Sequence, residues 1–222
     1  MGTAERRERD RNEMREAILA AAQRLFLEES FEKTTMRKIA QSIDYTPGAL
    51  YSYFKDKDEI LFALHQRGFD TLFAMQLPAL TIADPVERLA RLGEIYLEFA
   101  MTQPHSYDLM FIASKTGRSI EEAADWGCGE RAYEVLRETM RQVIAAGRMR
   151  GTDDADVAAF TAWAGAHGIA SLLIRNRLRM IPEERRPGLI RAASALMLQL
   201  TRPAPGPGDE DKDEEDDDED AR

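Results

Sequence analysis

One cysteine, Cys128, stands in 222 residues, so no internal disulfide framework can form. A reducing compartment suits such a chain, and Cys128, set in a Gly-Cys-Gly step, reads as a small buried hydrophobe. A single thiol also excludes a zinc site built on two or more thiolates. Histidine is nearly as scarce. Three residues before His65, His105 and His167 stand Phe62, Thr102 and Ala164, so the Glu-x-x-His pattern of helical di-iron sites is missing. No G-x-S-x-G, G-x-G-x-x-G or Walker A run occurs. These absences remove the usual catalytic machinery. The expectation is a chain that is not an enzyme and needs neither metal nor cofactor; a helical enzyme is kept as a rival reading. No apolar run is expected to reach membrane-spanning length, and the charged start MGTAERRERDRNEMRE is unlike a signal peptide. The expected location is cytoplasmic, with no membrane partner.

An excess of positive charge is lacking too. Thirty Lys and Arg face 40 Asp and Glu, a formal net charge of −10, which argues against a protein that neutralises phosphates. The charge is unevenly spread. From Pro203 the chain reads PAPGPGDEDKDEEDDDEDAR, with eleven acids against Lys212 and Arg222, which leaves residues 1–202 one charge short of neutral. The low-complexity tail, 203–222, is too polar to order itself. It serves solubility, or competes with DNA for a basic surface. Cations in the body remain free to cluster.

What is present is helix after helix. Arg9 to Glu28 is periodic, with Met14, Ile18, Ala21, Ala22, Leu25 and Phe26 as its apolar stripe, and its basic start (Arg6, Arg7, Arg9, Arg11) reads as an arm along DNA or as solvated helix. Thr35 caps a short helix through Met36 to Ile43. Thr46 caps the next, with Pro47 at its first position. A longer helix runs from Asp58 to about Met75. Asp84-Pro85, Pro104, a Ser119–Glu122 capping box, Thr152 and Pro182 open five more, the third of them stopping at Gly147. The expected fold is all-α, with roughly nine helices. Ile39, Ala40, Ile43, Leu50, Phe54 and Leu61 fall on facing sides of the 34–61 stretch and can lock it together. Outside remain Thr35, Arg37, Thr46, Pro47, Gly48, Ala49, Tyr51, Ser52, Tyr53, Lys55 and Lys57: a small, hydroxyl-rich helix start flanked by cations, suited to a DNA major groove.

The run I-A-x-x-x-x-Y-T-x-G-x-L-Y-x-Y-F-x-x-K-x-x-I-L resembles the helix-turn-helix of the tetracycline-repressor (TetR) family. Asp44 stands where that family's turn usually has glycine, and Tyr45 where a small aliphatic is usual; Asp tolerates left-handed backbone. Further on, Trp163-Ala-Gly-Ala-His167-Gly168 and Pro104-His-Ser-Tyr107-Asp-Leu-Met-Phe111 are similar to the W-x3-H-G and P-x-x-Y-x-L-M-F stretches of one TetR subgroup.

The resemblance implies a head over 1–57, a ligand-binding and dimerisation domain over 58–202, and the acidic tail beyond. It implies a homodimer that binds a palindromic operator and releases it on taking up a small, largely apolar or aromatic effector. In such a dimer Tyr51, Tyr53, Thr35 and Lys57 resemble phosphate holders, while Arg37, the long side chain at the groove edge, suits guanine. Candidate pocket residues are Phe69, Phe73, Tyr96, Phe99, Met110, Phe111, Trp126, Tyr133, Met140, Trp163 and His167. Candidate dimer residues are Gly165, Ala166, Gly168, Ala170, Ser171, Ala192, Ala193, Leu196, Met197 and Leu200. A DNA-binding dimer that is ligand-independent or regulated by a partner protein is the alternative.

Overall fold

The computed structural model describes residues 3–112 and 127–198; the Ser119–Glu122 capping box, Trp126, Leu200 and the acidic tail lie outside them. Nine α-helices form among the described residues: α1 Thr3–Glu29, α2 Met36–Ser42, α3 Pro47–Leu50, α4 Lys57–Gln76, α5 Pro85–Thr102, α6 Pro104–Tyr107, α7 Gly127–Ala145, α8 Ala155–Ile174 and α9 Arg186–Leu198. Apart from an isolated bridge position at Met149, regular structure there is helical. The chain divides into two compact units, Met1–Pro78 with Ile95–Glu134, and Ala79–Glu94 with Val135 onward.

The first unit holds the 34–61 motif. Its core is built from Ile18, Ala22, Leu25 and Phe26 of α1, Met36, Ile39 and Ala40 of α2, Leu50 and Phe54, and Ile60, Leu61 and Leu64 of α4. The helical period of α1 carries one apolar stripe into this core, as its sequence requires. α1 begins six residues earlier than its periodicity suggests, so the arginine-rich start is helix rather than extended arm. α6 passes into a π-helical segment, Asp108–Ile112. There Met110 lies against Gly68 of α4 so closely that a Cβ at 68 would stand 2.3 Å from its Sδ.

The second unit is held at its start by Asp84. Its carboxylate caps α5 by accepting from Val86 N (2.8 Å) and Glu87 N (3.0 Å) and pairs with Arg148. The Glu87 N–H first, and Arg148 with it, hold this carboxyl below the usual range. α7 stops where Gly147 takes φ +67, and α8 where Asn176 takes φ +50. Asp154 caps α8 by accepting from Asp156 N and Val157 N. After Pro182 a 3-10 turn, Glu183–Arg185, precedes α9, which therefore starts later than the sequence suggests.

One expectation about apolar runs is corrected here. α8, 20 residues with a mean hydropathy of 1.6, is long and apolar enough to cross a membrane by length and composition, and only 17% of that window is buried. The sequence hides it because small residues (Ala158, Ala159, Ala162, Ala164, Gly165, Ala166) raise its hydropathy without a bulky apolar run. Two stripes share this helix. Gly165, Ala170 and their neighbours are taken up inside the chain: a Cβ at Gly165 would meet Met197 Cε of α9 at 2.3 Å, and Ala170 is fully buried. Val157, Phe160, Ala164, Gly168 and Leu172, spaced three and four apart, stay exposed.

Candidate nucleic-acid interface

α2 starts at Thr35, whose Oγ1 accepts from Lys38 N at 3.2 Å. It ends in a Schellman turn: Tyr45 N donates to Ala40 O (2.9 Å) and Asp44 N to Gln41 O (3.3 Å), with Asp44 at φ +59. This is the left-handed position where glycine is usual, and Asp44 fills it. The turn sets α3 across α2. Thr46 occupies the N-cap of α3 but makes no side-chain capping bond, and Pro47 takes the first helical position. The helical path continues loosely past Leu50, with Tyr53 N and Phe54 N both donating to Leu50 O.

Leu50 and Phe54 are fully buried, which turns Thr46, Gly48, Tyr51 and Ser52 outward; all four are exposed. Thr35, Arg37 and Lys55 are exposed on the same motif, while Pro47, Ala49 and Tyr53 are half-buried. Ser52 donates its hydroxyl proton to Ala49 O at 2.7 Å, so toward an outside group it can only accept. Nothing in the chain requires glycine at 48: an added Cβ would meet no atom within 4 Å. Such a glycine suits close approach by an outside molecule. Tyr45, 46% exposed beside Thr46, belongs with this surface and escaped the sequence reading, which treated it as a turn substitution. Lys38, also exposed, is paired with Glu29.

Lys57, expected to hold a phosphate, is engaged within the chain. Its ammonium donates to Phe31 O (2.8 Å), Thr34 O (3.2 Å) and Glu32 O (3.5 Å) and sits 4.3 Å over the Phe31 ring. It ties the first turn of α4 to the α1–α2 turn. The carbonyls there lie just after Ser30, which adopts φ +78. Lys57→Ala is expected to lower head stability by about 1–3 kcal/mol and to leave the salt dependence of DNA binding unchanged. Thermal unfolding and a salt titration check this; an unchanged Tm with a salt slope flattened by about one would return Lys57 to a phosphate.

The candidate pocket residues divide between the units. In the first, Phe69, Tyr96 and Phe111 form a ring cluster with Tyr107, centroids 5.0–6.0 Å apart, joined by Tyr96 Oη donating to Tyr107 Oη at 3.3 Å. Phe99 and Met110 are buried, Phe73 and Tyr133 half-buried, in that same unit. Met140, buried, belongs to the second unit, as do Trp163 and His167, rings 6.0 Å apart, with Phe160 beside Trp163. The sequence reading missed His65. It is 1% exposed, flanked by Phe62 and Phe69, and its Nδ1 has no hydrogen-bond partner among the described residues.

Burial pushes His65 down to about 4, and burial lowers His167 as well. The folded His65 thus refuses a proton that the unfolded chain accepts below its ordinary value of 6.5. Stability attributable to it is present above that value and is lost as pH falls toward 4. Burial also raises the Cys128 thiol, which keeps it unreactive. Among the described residues no cluster of three His, Cys, Asp or Glu could hold a metal ion.

Residues 18–64 match the family described as bacterial regulatory proteins, tetR family, and residues 89–196 match the tetracyclin repressor-like C-terminal domain. The chain belongs to the TetR family. TetR-family proteins of this kind are regulators, not enzymes. Among curated relatives, the HTH-type transcriptional regulator HbdR of Aromatoleum sp. is 28% identical over 144 residues, 64% of this chain. That match spans 62% of HbdR, less than two thirds of its length. The HTH-type transcriptional repressor Rv1474c of Mycobacterium tuberculosis is 26% identical over 148 residues, 64% of this chain and 73% of its own. The crystal structure of the TetR-family transcriptional regulator PfmR from Thermus thermophilus has a TM-score of 0.60 at 26% identity, covering 82% of this chain and 97% of PfmR. FadR from Bacillus subtilis, in complex with stearoyl-CoA, shares the fold at a TM-score of 0.68 and 16% identity, over 83% and 97% of the two chains.

Proposed function

We propose that this TetR-family chain regulates transcription as a homodimer that binds a palindromic operator and releases it when a small, largely apolar effector binds. The observation that carries the reading is the exposed surface of the 34–55 motif, which has small residues and hydroxyls at the start of α3 and no internal reason for Gly48. Residues 1–57 act as the reading head and 58–202 as the effector and pairing domain; the W-x3-H-G subgroup belongs to the same reading. Two-fold pairing is supported by the uncovered stripe on α8, Val157, Phe160, Ala164, Gly168 and Leu172, joined on α9 by Leu189, Ala192 and Leu196. A second copy offers the self-complementary cover such a face needs, and two heads then meet half-sites one DNA turn apart, roughly 34–36 Å. Of the candidate pairing residues, Gly168, Ala192 and Leu196 lie on this exposed stripe, whereas Gly165 lies against Met197 and Ala170 is buried within the protomer.

The aromatic cluster of Phe69, Tyr96 and Phe111, with Met110, supports an apolar effector. FadR from Bacillus subtilis, which shares the fold, is known in complex with stearoyl-CoA. Selection of duplex DNA from a random library by the purified chain, with and without acyl-CoA and aromatic ligands, tests the whole reading. A symmetric site released by a ligand supports it; a symmetric site no ligand releases favours a ligand-independent regulator, and an absence of selected DNA overturns it. Within the head, Arg37→Ala is expected to relax preference at one base pair by about 1–3 kcal/mol, seen as a larger loss on the selected site than on random duplex. Equal losses on both would remove Arg37 from base reading.

A further inference from the structure

Residues 4–13 of α1 are all exposed, and the first fully buried side chain is Ile18. This exposed stretch carries Arg6, Arg7, Arg9 and Arg11 against Glu5, Glu8, Asp10 and Glu13, so in linear order its charges cancel. On the helix they separate. At 3.6 residues per turn, Glu5, Glu8, Asn12 and Glu16 share one side, where Arg9 also pairs with Glu13. Arg7 and Arg11 lie on the opposite side, in line with Met14, Ile18 and Leu25 below them, with Asp10 at their edge.

That line is the one the head covers, since Ile18 and Leu25 are in its core. A direct contact fixes the phase: Arg15, one turn after Arg11, holds its guanidinium 4.3 Å over the ring of Phe54, next to Tyr53 and Lys55. Arg11 and Arg7 repeat this position about one and two turns further out, about 6 and 12 Å along the axis. They therefore extend the cationic edge beyond the motif, uncovered by protein and turned away from the helix's acidic side.

We propose that Arg7 and Arg11 grip DNA backbone phosphates outside the stretch met by α2 and α3, making α1 a second, sequence-independent contact. The inference rests on the DNA-binding reading above. Its test uses the full chain on a duplex selected by the wild type and on a random duplex of equal length, across a salt series. R7Q/R11Q is expected to reduce the salt slope by about 3.6, two phosphates' worth from each protomer of the dimer, to lose affinity by the same factor on both duplexes, and to shorten the footprint at its outer ends. R6Q/R9Q, equal in charge change but on other sides of the helix, is expected to leave slope and footprint unchanged. No slope change in R7Q/R11Q, or an equal change in both variants, would overturn the proposal while DNA binding by the wild type stands. A wild type without affinity for either duplex would instead overturn the DNA-binding reading and this one with it. All four side chains are exposed, so thermal unfolding is expected to be the same for every variant.

Discussion

Glutamate at both Phe160 and Leu196 is expected to give a folded monomer whose operator affinity falls about 10²–10⁴-fold. The two side chains are 59% and 64% exposed, so within one protomer a carboxylate there stays solvated and unfolding is little changed. In a two-fold face each carboxylate would be taken out of water, and close to its own copy, at a cost of several kcal/mol per ion. A single reading head then binds without the effective-concentration gain that its twin supplies. Sedimentation gives the assembly state and a DNA titration gives the affinity. A double variant that remains a dimer would move the pairing surface away from α8 and α9; a monomer that binds the operator undiminished would break the link between pairing and recognition.

The second large effect is Phe54→Ala, expected to destabilise the head by about 3–5 kcal/mol. Phe54 is fully buried, closes the core that α1, α2 and α4 share, and carries Arg15 on its outer face. Its removal leaves a cavity behind the segment that presents Tyr51, Ser52 and Tyr53. DNA binding should disappear at temperatures where the remainder stays folded, and Phe54→Leu, closer in volume, should lose less than about 1.5 kcal/mol. Unfolding followed by hydrogen exchange at α2 and α3 decides it: protection there equal to wild type would mean that the motif does not depend on this ring.

Much of the head was legible because its signals are local. Caps, the Pro47 position and facing apolar residues lie within 28 residues of sequence, and even the missing turn glycine was readable from what Asp44 tolerates. The internal partners of Lys57 were not legible, for the complementary reason. Its three acceptors lie 23 to 26 residues away, in a turn whose carbonyls no periodicity announces. The two stripes of α8 were hidden for a similar reason. Small residues at 165–171 mark close helix approach, but only packing tells which small residues meet the chain's own Met197 and which stay uncovered. His65 was invisible to pattern, since burial and an unpaired Nδ1 are properties of its neighbours.

The tie made by Lys57 has a mechanical consequence. Helix α4 enters the head through a first turn capped by Asp56 and bolted by one ammonium to three carbonyls between α1 and α2, while further along the same helix Gly68 holds Met110 at van der Waals limit. A shaft joined this way has no play at its end. A tilt of α4 near Gly68 is therefore expected to carry the α1–α2 turn with it, and loosening that bolt to let the two ends of the shaft turn independently.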